Sequence, residues 1–253
     1  MIDGKPAVRG GRRWAALRLG IVALWLFGAG IAWWTAPRQH DYEAATTDLA
    51  SGRVVAYQWG DRWDANQRRP WFGTSDLESS GALGPFFAWR TPDGRIRWTD
   101  TTNFDQVTLT GAIDRSAYAG PGAVGLAQQV QAAGLEGRSG VLQPLGQVVG
   151  GTGLAAAAIT FGVLLAGPAP VLGTRWFWFW LVCLVPFGLG ILAWLAREHP
   201  WAPSASPRTG PGGRDSGVLG VAVGVAATIL GSILSLMLGQ LLGDWWVPRL
   251  NAE

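Results

Sequence analysis

The chain is poor in the residues that do most protein chemistry. Among its 253 residues are one cysteine, one lysine and two histidines. A single Cys183 rules out an intramolecular disulfide and a thiolate metal cluster. Cys183 falls inside an apolar run, where a small apolar filler is the ordinary role. His40 and His199 stand apart, with no neighbouring ligands, and zinc needs three or four donors. No metal or cofactor is expected. The nucleophile-elbow, P-loop and dinucleotide-binding glycine motifs are missing as well.

Charge is also scarce. Only 15% of residues are charged, against roughly 25% in ordinary soluble proteins. The deficit is concentrated in four long stretches, and the rest of the chain reads as normal aqueous sequence. Basic charge is almost entirely arginine, and with abundant Ala, Gly, Pro and Trp it reads as the coding bias of a GC-rich bacterial genome. A net charge of +3 with no basic cluster on a folded face speaks against nucleic acid as a partner.

The four uncharged stretches predict four transmembrane helices, at 17–34, 148–167, 176–196 and 217–243. About twenty residues at 1.5 Å each cross a ~30 Å hydrocarbon layer. The first is the shortest, and Arg18 can snorkel to complete it. The third contains Pro186, for which a packing kink is the default reading. Of 16 tryptophans, ten sit at or near predicted helix ends: Trp14, Trp33, Trp34, Trp176, Trp178, Trp180, Trp194, Trp201, Trp245 and Trp246. Indoles favour that headgroup level. Only Trp25 falls in mid-span.

The first stretch ends in bulky Trp33-Trp34 with no small-residue cleavage site, which predicts an uncleaved anchor. Lys5, Arg9, Arg12, Arg13 and Arg18 make residues 1–16 and the start of the helix basic, so the N-terminus is expected in the cytoplasm of a plasma (inner) membrane. Four crossings then put residues 35–147 outside and the 244–253 tail in the cytoplasm. One feature conflicts with this. Arg197, Arg208 and Arg214, in the Pro/Gly/Arg-rich 197–216 loop, would lie outside.

The spans carry no Asp, Glu, Lys or His in their cores, which argues against a self-sufficient pump or transporter. They do carry small residues at intervals of four, with one step of three in each series. In the fourth these are Ser216, Gly220 and Gly224, then Ala227, Gly231, Ser235, Gly239 and Gly243. In the second they are Gly151, Ala155, Ala158, Gly162 and Ala166. Such stripes predict close helix packing, with each other, with another membrane protein or with a second copy.

Residues 35–147 read as a small α+β domain, so the expected class is a membrane all-α protein with an inserted extracytoplasmic α+β domain. Asp41 caps a short helix over 41–50. A β-rich run follows at Arg53–Trp59. Residues 61–84 read as a long loop. Phe86–Thr91 and Arg95–Thr101 flank a Pro92-Asp93-Gly94 turn. An amphipathic helix is expected over 123–135. This order resembles the small extracytoplasmic domain of membrane-anchored AAA zinc proteases across residues 41–135. The resemblance implies a small assembly or sensing module. The P-loop and the H-E-x-x-H motif of those enzymes are missing, so no activity carries over.

The candidate binding surface is aromatic and basic: Trp59, Arg62, Trp63, Arg68, Arg69 and Trp71. Trp and Arg are hot-spot residue types, suited to a protein, an anionic headgroup or a glycan. The alternative is that the tryptophans are core. Asp61, Asp64, Asp100 and Asp105 are the carboxylates from which an acid/base or cation site would be built, though Asp commonly serves as a turn cap. The leading expectation is a non-enzymatic membrane protein whose outer domain binds a partner or senses the envelope. An oligomeric permeation subunit and an envelope enzyme are the alternatives.

Overall fold

A computed structural model describes residues 6–63, 76–79, 84–102, 120–199 and 215–242. The chain forms two compact units. One holds the described residues up to Gly30 and from Gln147 to Leu236, and the other holds the described residues between Ile31 and Gly146. Arg68, Arg69, Trp71, Asp64, Asp105 and Gly243 lie outside the described residues.

Within the second unit, β1 (Arg38–Gln39), β6 (Ile96–Asp100), β5 (Phe86–Arg90) and β2 (Ala56–Gly60) form one sheet in that order. β2, β5 and β6 are antiparallel, and β1 joins β6 in parallel. The β5–β6 turn closes through Gly94, at φ 82°, a left-handed conformation that glycine adopts without strain. Two-residue strands β3 (Arg62–Trp63) and β4 (Leu77–Glu78) pair inside the stretch expected to be loop. The expected strand at Arg53–Trp59 starts three residues later, because Val54 is fully buried and Arg53 turns back to α2.

Both faces of the sheet are covered. Tyr57, Trp59, Phe87 and Trp89 pack under α2 (Tyr42–Ala50) and α3 (Pro121–Ala132). Phe86, Ala88, Ile96 and Trp98 face the other way, against Trp63, Leu77 and Leu142. This is strand alternation with an apolar partner on each side. Asp41 caps α2 by accepting from the Ala44 amide at 3.0 Å. α3 starts at Pro121, which lacks an N–H that a first helical turn leaves free in any case.

One carboxylate ties helix to sheet. Asp48 of α2 is buried, and it accepts from the Trp89 indole and the Arg97 guanidinium, each at 2.8 Å. Arg53 reaches its other oxygen at 2.6 Å. A buried carboxylate is tolerated here because one oxygen accepts two hydrogen bonds and the charge is paired with two guanidiniums.

In the first unit, α1 (Pro6–Trp34), α4 (Gly146–Ala166) and α7 (Gly217–Leu242) are long and apolar enough to cross a membrane. Leu19, Leu154, Leu165, Val218 and Leu230 are each at least 66% exposed, an apolar surface suited to hydrocarbon rather than water. The third expected span is not one helix. It divides into α5 (Arg175–Leu184) and α6 (Leu189–Arg197), bent by 119° across Pro186. Phe187 and Gly188 both take positive φ at this break.

The glycines of α7 lie against this broken pair, not against α4. A methyl group at Gly220 would come within 2.6 Å of the Phe177 carbonyl oxygen, and one at Gly224 within 2.8 Å of Leu184 Cβ. At Gly231 it would meet Pro186 at 3.0 Å. Contacts of Ser235 and Gly239 lie outside the described residues. On α4, Gly151 and Gly162 face open space within the chain.

Two predictions follow from this packing. G220A is expected to destabilise the protein by about 1–3 kcal/mol through overpacking. G162A is expected to be neutral or to stabilise by up to ~1 kcal/mol from helix propensity. Thermal unfolding in detergent compares them, and equal midpoints would contradict the α5–α7 contact. The second concerns His40. Burial first, and then the Arg97 guanidinium, hold its pKa below the ordinary 6.5. The folded state therefore takes up this proton less readily than the unfolded chain. Stability is complete above the ordinary value and declines as pH falls below it. H40Q should flatten the melting temperature between about pH 7.5 and about pH 5.5. A variant with the wild-type slope would exclude His40 as the cause.

Candidate binding groove

The expected Trp/Arg surface does not assemble as an exposed patch. Trp59 is 8% exposed and Trp63 is 7% exposed, because both rings complete the two cores of the sheet. Arg62 is exposed but paired with Glu78 at 2.7 Å. Of the carboxylates, Asp100 has a local duty, capping the turn by accepting from the Thr102 amide and hydroxyl at 2.9 and 2.7 Å. No group of three potential metal ligands occurs among the described residues.

The concave surface lies elsewhere in this unit. An open groove of about 330 Å³ is walled by Val55, Pro92, Leu142, Pro144 and Leu145, with Thr35, Thr91 and Arg90 supplying polar atoms. A largely apolar lining with a few placed polar groups is the usual makeup of a small-ligand site. Thr35 is the residue after α1 ends, and Leu145 the residue before α4 begins.

The β5–β6 turn gives the groove a firm wall. The Thr91 amide donates to the Arg95 carbonyl at 3.0 Å, and the Gly94 amide to the Thr91 carbonyl at 2.9 Å. The Trp34 indole N–H donates to the Asp93 carbonyl at 3.0 Å. The Arg95 guanidinium stacks over the Trp34 ring at 4.5 Å, and Arg38 over Trp33 at 5.0 Å. Burial pushes the Asp93 carboxyl up. The Thr91 hydroxyl, the Arg95 amide and the Arg95 and Arg97 charges outweigh it and hold the pKa below the usual value. Asp93 is thereby kept as an anion that fixes the turn.

Arg90 ends β5, half exposed, its carbonyl accepting from the Val55 amide at 2.9 Å, and its guanidinium has no hydrogen-bond or ion-pair partner among the described residues. Its neighbours Arg95 and Arg97 are both engaged with carboxylates. The sequence reading passed over Arg90, Thr35 and Leu145, since they are far apart in sequence and follow no motif. The one available signal was that Thr35 and Leu145 flank the predicted spans.

No known protein family matches the chain, and no curated protein or solved structure matches it either. The resemblance of residues 41–135 to the outer domain of AAA zinc proteases therefore rests on element order alone.

Proposed function

We propose that this chain is a non-enzymatic membrane protein whose inserted domain binds an anionic membrane amphiphile in the groove beside Trp34. The observation that carries this reading is an apolar groove that includes Thr35 and Leu145, one residue from the ends of α1 and α4, together with the Arg90 guanidinium, which has no partner among the described residues. Thr35 and Leu145 directly adjoin the ends of two helices able to cross a bilayer, which would bring this lining near headgroup level, where lipid is by far the most abundant solute. The apolar wall suits the upper part of an acyl chain. Arg90 suits a phosphate, which a guanidinium engages through two parallel hydrogen bonds. Trp33 and Trp34, each backed by an arginine, are the residue type that settles at this depth.

The test uses the full-length protein in nanodiscs, with native mass spectrometry of the lipids it retains. Anionic phosphatidylglycerol should be retained in preference to phosphatidylcholine. R90Q should weaken that retention by about tenfold, as expected for one charge-assisted hydrogen bond of ~1.5 kcal/mol. Equal retention of both lipids, or an R90Q protein that retains anionic lipid as wild type does, would overturn the proposal.

A further inference from the structure

The broken third segment changes how many times the chain crosses the membrane. α5 has ten residues, about 15 Å at 1.5 Å per residue, and so reaches only to mid-depth of a ~30 Å layer. A membrane-crossing reading would need α6 to continue onward. The contacts show that it comes back.

Four observations place its return. Glu198, directly after α6, is fully buried. Its carboxylate accepts from the amides of Val171, Leu172 and Gly173 at 2.7, 3.0 and 3.2 Å, all in the segment before α5. It also accepts from the Trp178 indole, in the first turn of α5, at 2.7 Å. The exit of α6 is thus bound to the entrance of α5. The start of α7 joins the same end. The Thr174 amide donates to the Asp215 carbonyl at 2.9 Å, and the Asp215 amide to the Leu172 carbonyl at 3.1 Å. The end of α4 is there too, since Arg175 donates to the Gly167 carbonyl at 2.8 Å.

The apex of the pair behaves as a turn within hydrocarbon must. Breaking a helix frees carbonyls, and without water each needs a partner from the protein. The Leu184 carbonyl accepts from the Thr228 hydroxyl at 2.6 Å, eleven residues into α7. The Phe187 carbonyl accepts from the indole N–H of Trp25 at 2.8 Å. Trp25 is the tryptophan that sat in mid-span and fitted no headgroup belt. Both donors stand within the middle third of the apolar stretches Gly11–Trp34 and Gly217–Leu234.

We propose that α5 and α6 form a re-entrant hairpin, so that the chain crosses the membrane three times, through α1, α4 and α7. The 168–216 region then lies on one face together with residues 1–16, and residues 244–253 lie on the face of the inserted domain. Charge agrees with this arrangement. Arg175, Arg197, Arg208 and Arg214 join Lys5, Arg9, Arg12 and Arg13 on the cytoplasmic side, and the conflict with the positive-inside rule disappears. Residues 244–253 carry one arginine against Asp244 and Glu253, a segment with no retention signal.

The experiment is cysteine accessibility in the full-length protein with C183A removing the native thiol. D3C, T102C, S204C and N251C are each labelled in intact spheroplasts with a membrane-impermeant maleimide, and again in detergent to verify reactivity. T102C and N251C should label in intact cells, while D3C and S204C should label only in detergent. Labelling of S204C together with T102C would overturn the proposal, as would protection of N251C. A phosphatase fused after Glu253 gives a readout free of cysteine chemistry. It should be active with three crossings and inactive with four. Neither result depends on what the groove binds.

Discussion

A backbone carbonyl inside hydrocarbon has no water to turn to, and this constraint organises the helical half of the protein. Pro186 and Gly188 stop α5 and start α6 within a stretch that composition alone would make one helix. The freed carbonyls of Leu184 and Phe187 then require donors at a fixed depth. Thr228 and Trp25 supply them from two other helices. Their placement fixes the rotation of α1 and α7, and the rotation of α7 sets Gly220 and Gly224 against α5. The glycine stripe and the mid-span tryptophan are thus consequences of one break.

Glu198 does for the entrance what those two residues do for the apex. A carboxylate with four donors and no exposure exchanges its hydration for a full set of protein hydrogen bonds. Asp48 solves the same problem between α2 and the sheet with cationic partners and an indole. In each case a single acidic side chain gathers segments that apolar packing alone would leave loosely specified.

Much of this was legible in the sequence. Period, length and the lack of charge marked α1, α4 and α7, and Asp41, Gly52 and the Pro92–Gly94 turn marked α2 and the β5–β6 hairpin. Trp59 and Trp63 stayed open between surface and core because indoles serve both equally, and only the paired strands decide for the core. β1, β3 and β4 are two residues long and carry no periodicity to read. The groove was illegible because its walls come from three separated segments. Glu198 stands just past an apolar run, where an acidic residue looks like the ordinary polar border of a span. Its three amide partners lie some 25 residues earlier, as separations of 25–27 positions attest.

The central strand has a further consequence during biogenesis. β5, Phe-Phe-Ala-Trp-Arg, is buried on both faces, so its first four residues are apolar without alternation. Before β2 and β6 flank it, such a segment is a template for intermolecular strand pairing. Arg90 closes the run with a charge, the type of residue that interrupts aggregation-prone stretches. The same guanidinium that borders the groove in the finished protein can thus act as a gatekeeper while the nascent domain is still unpaired.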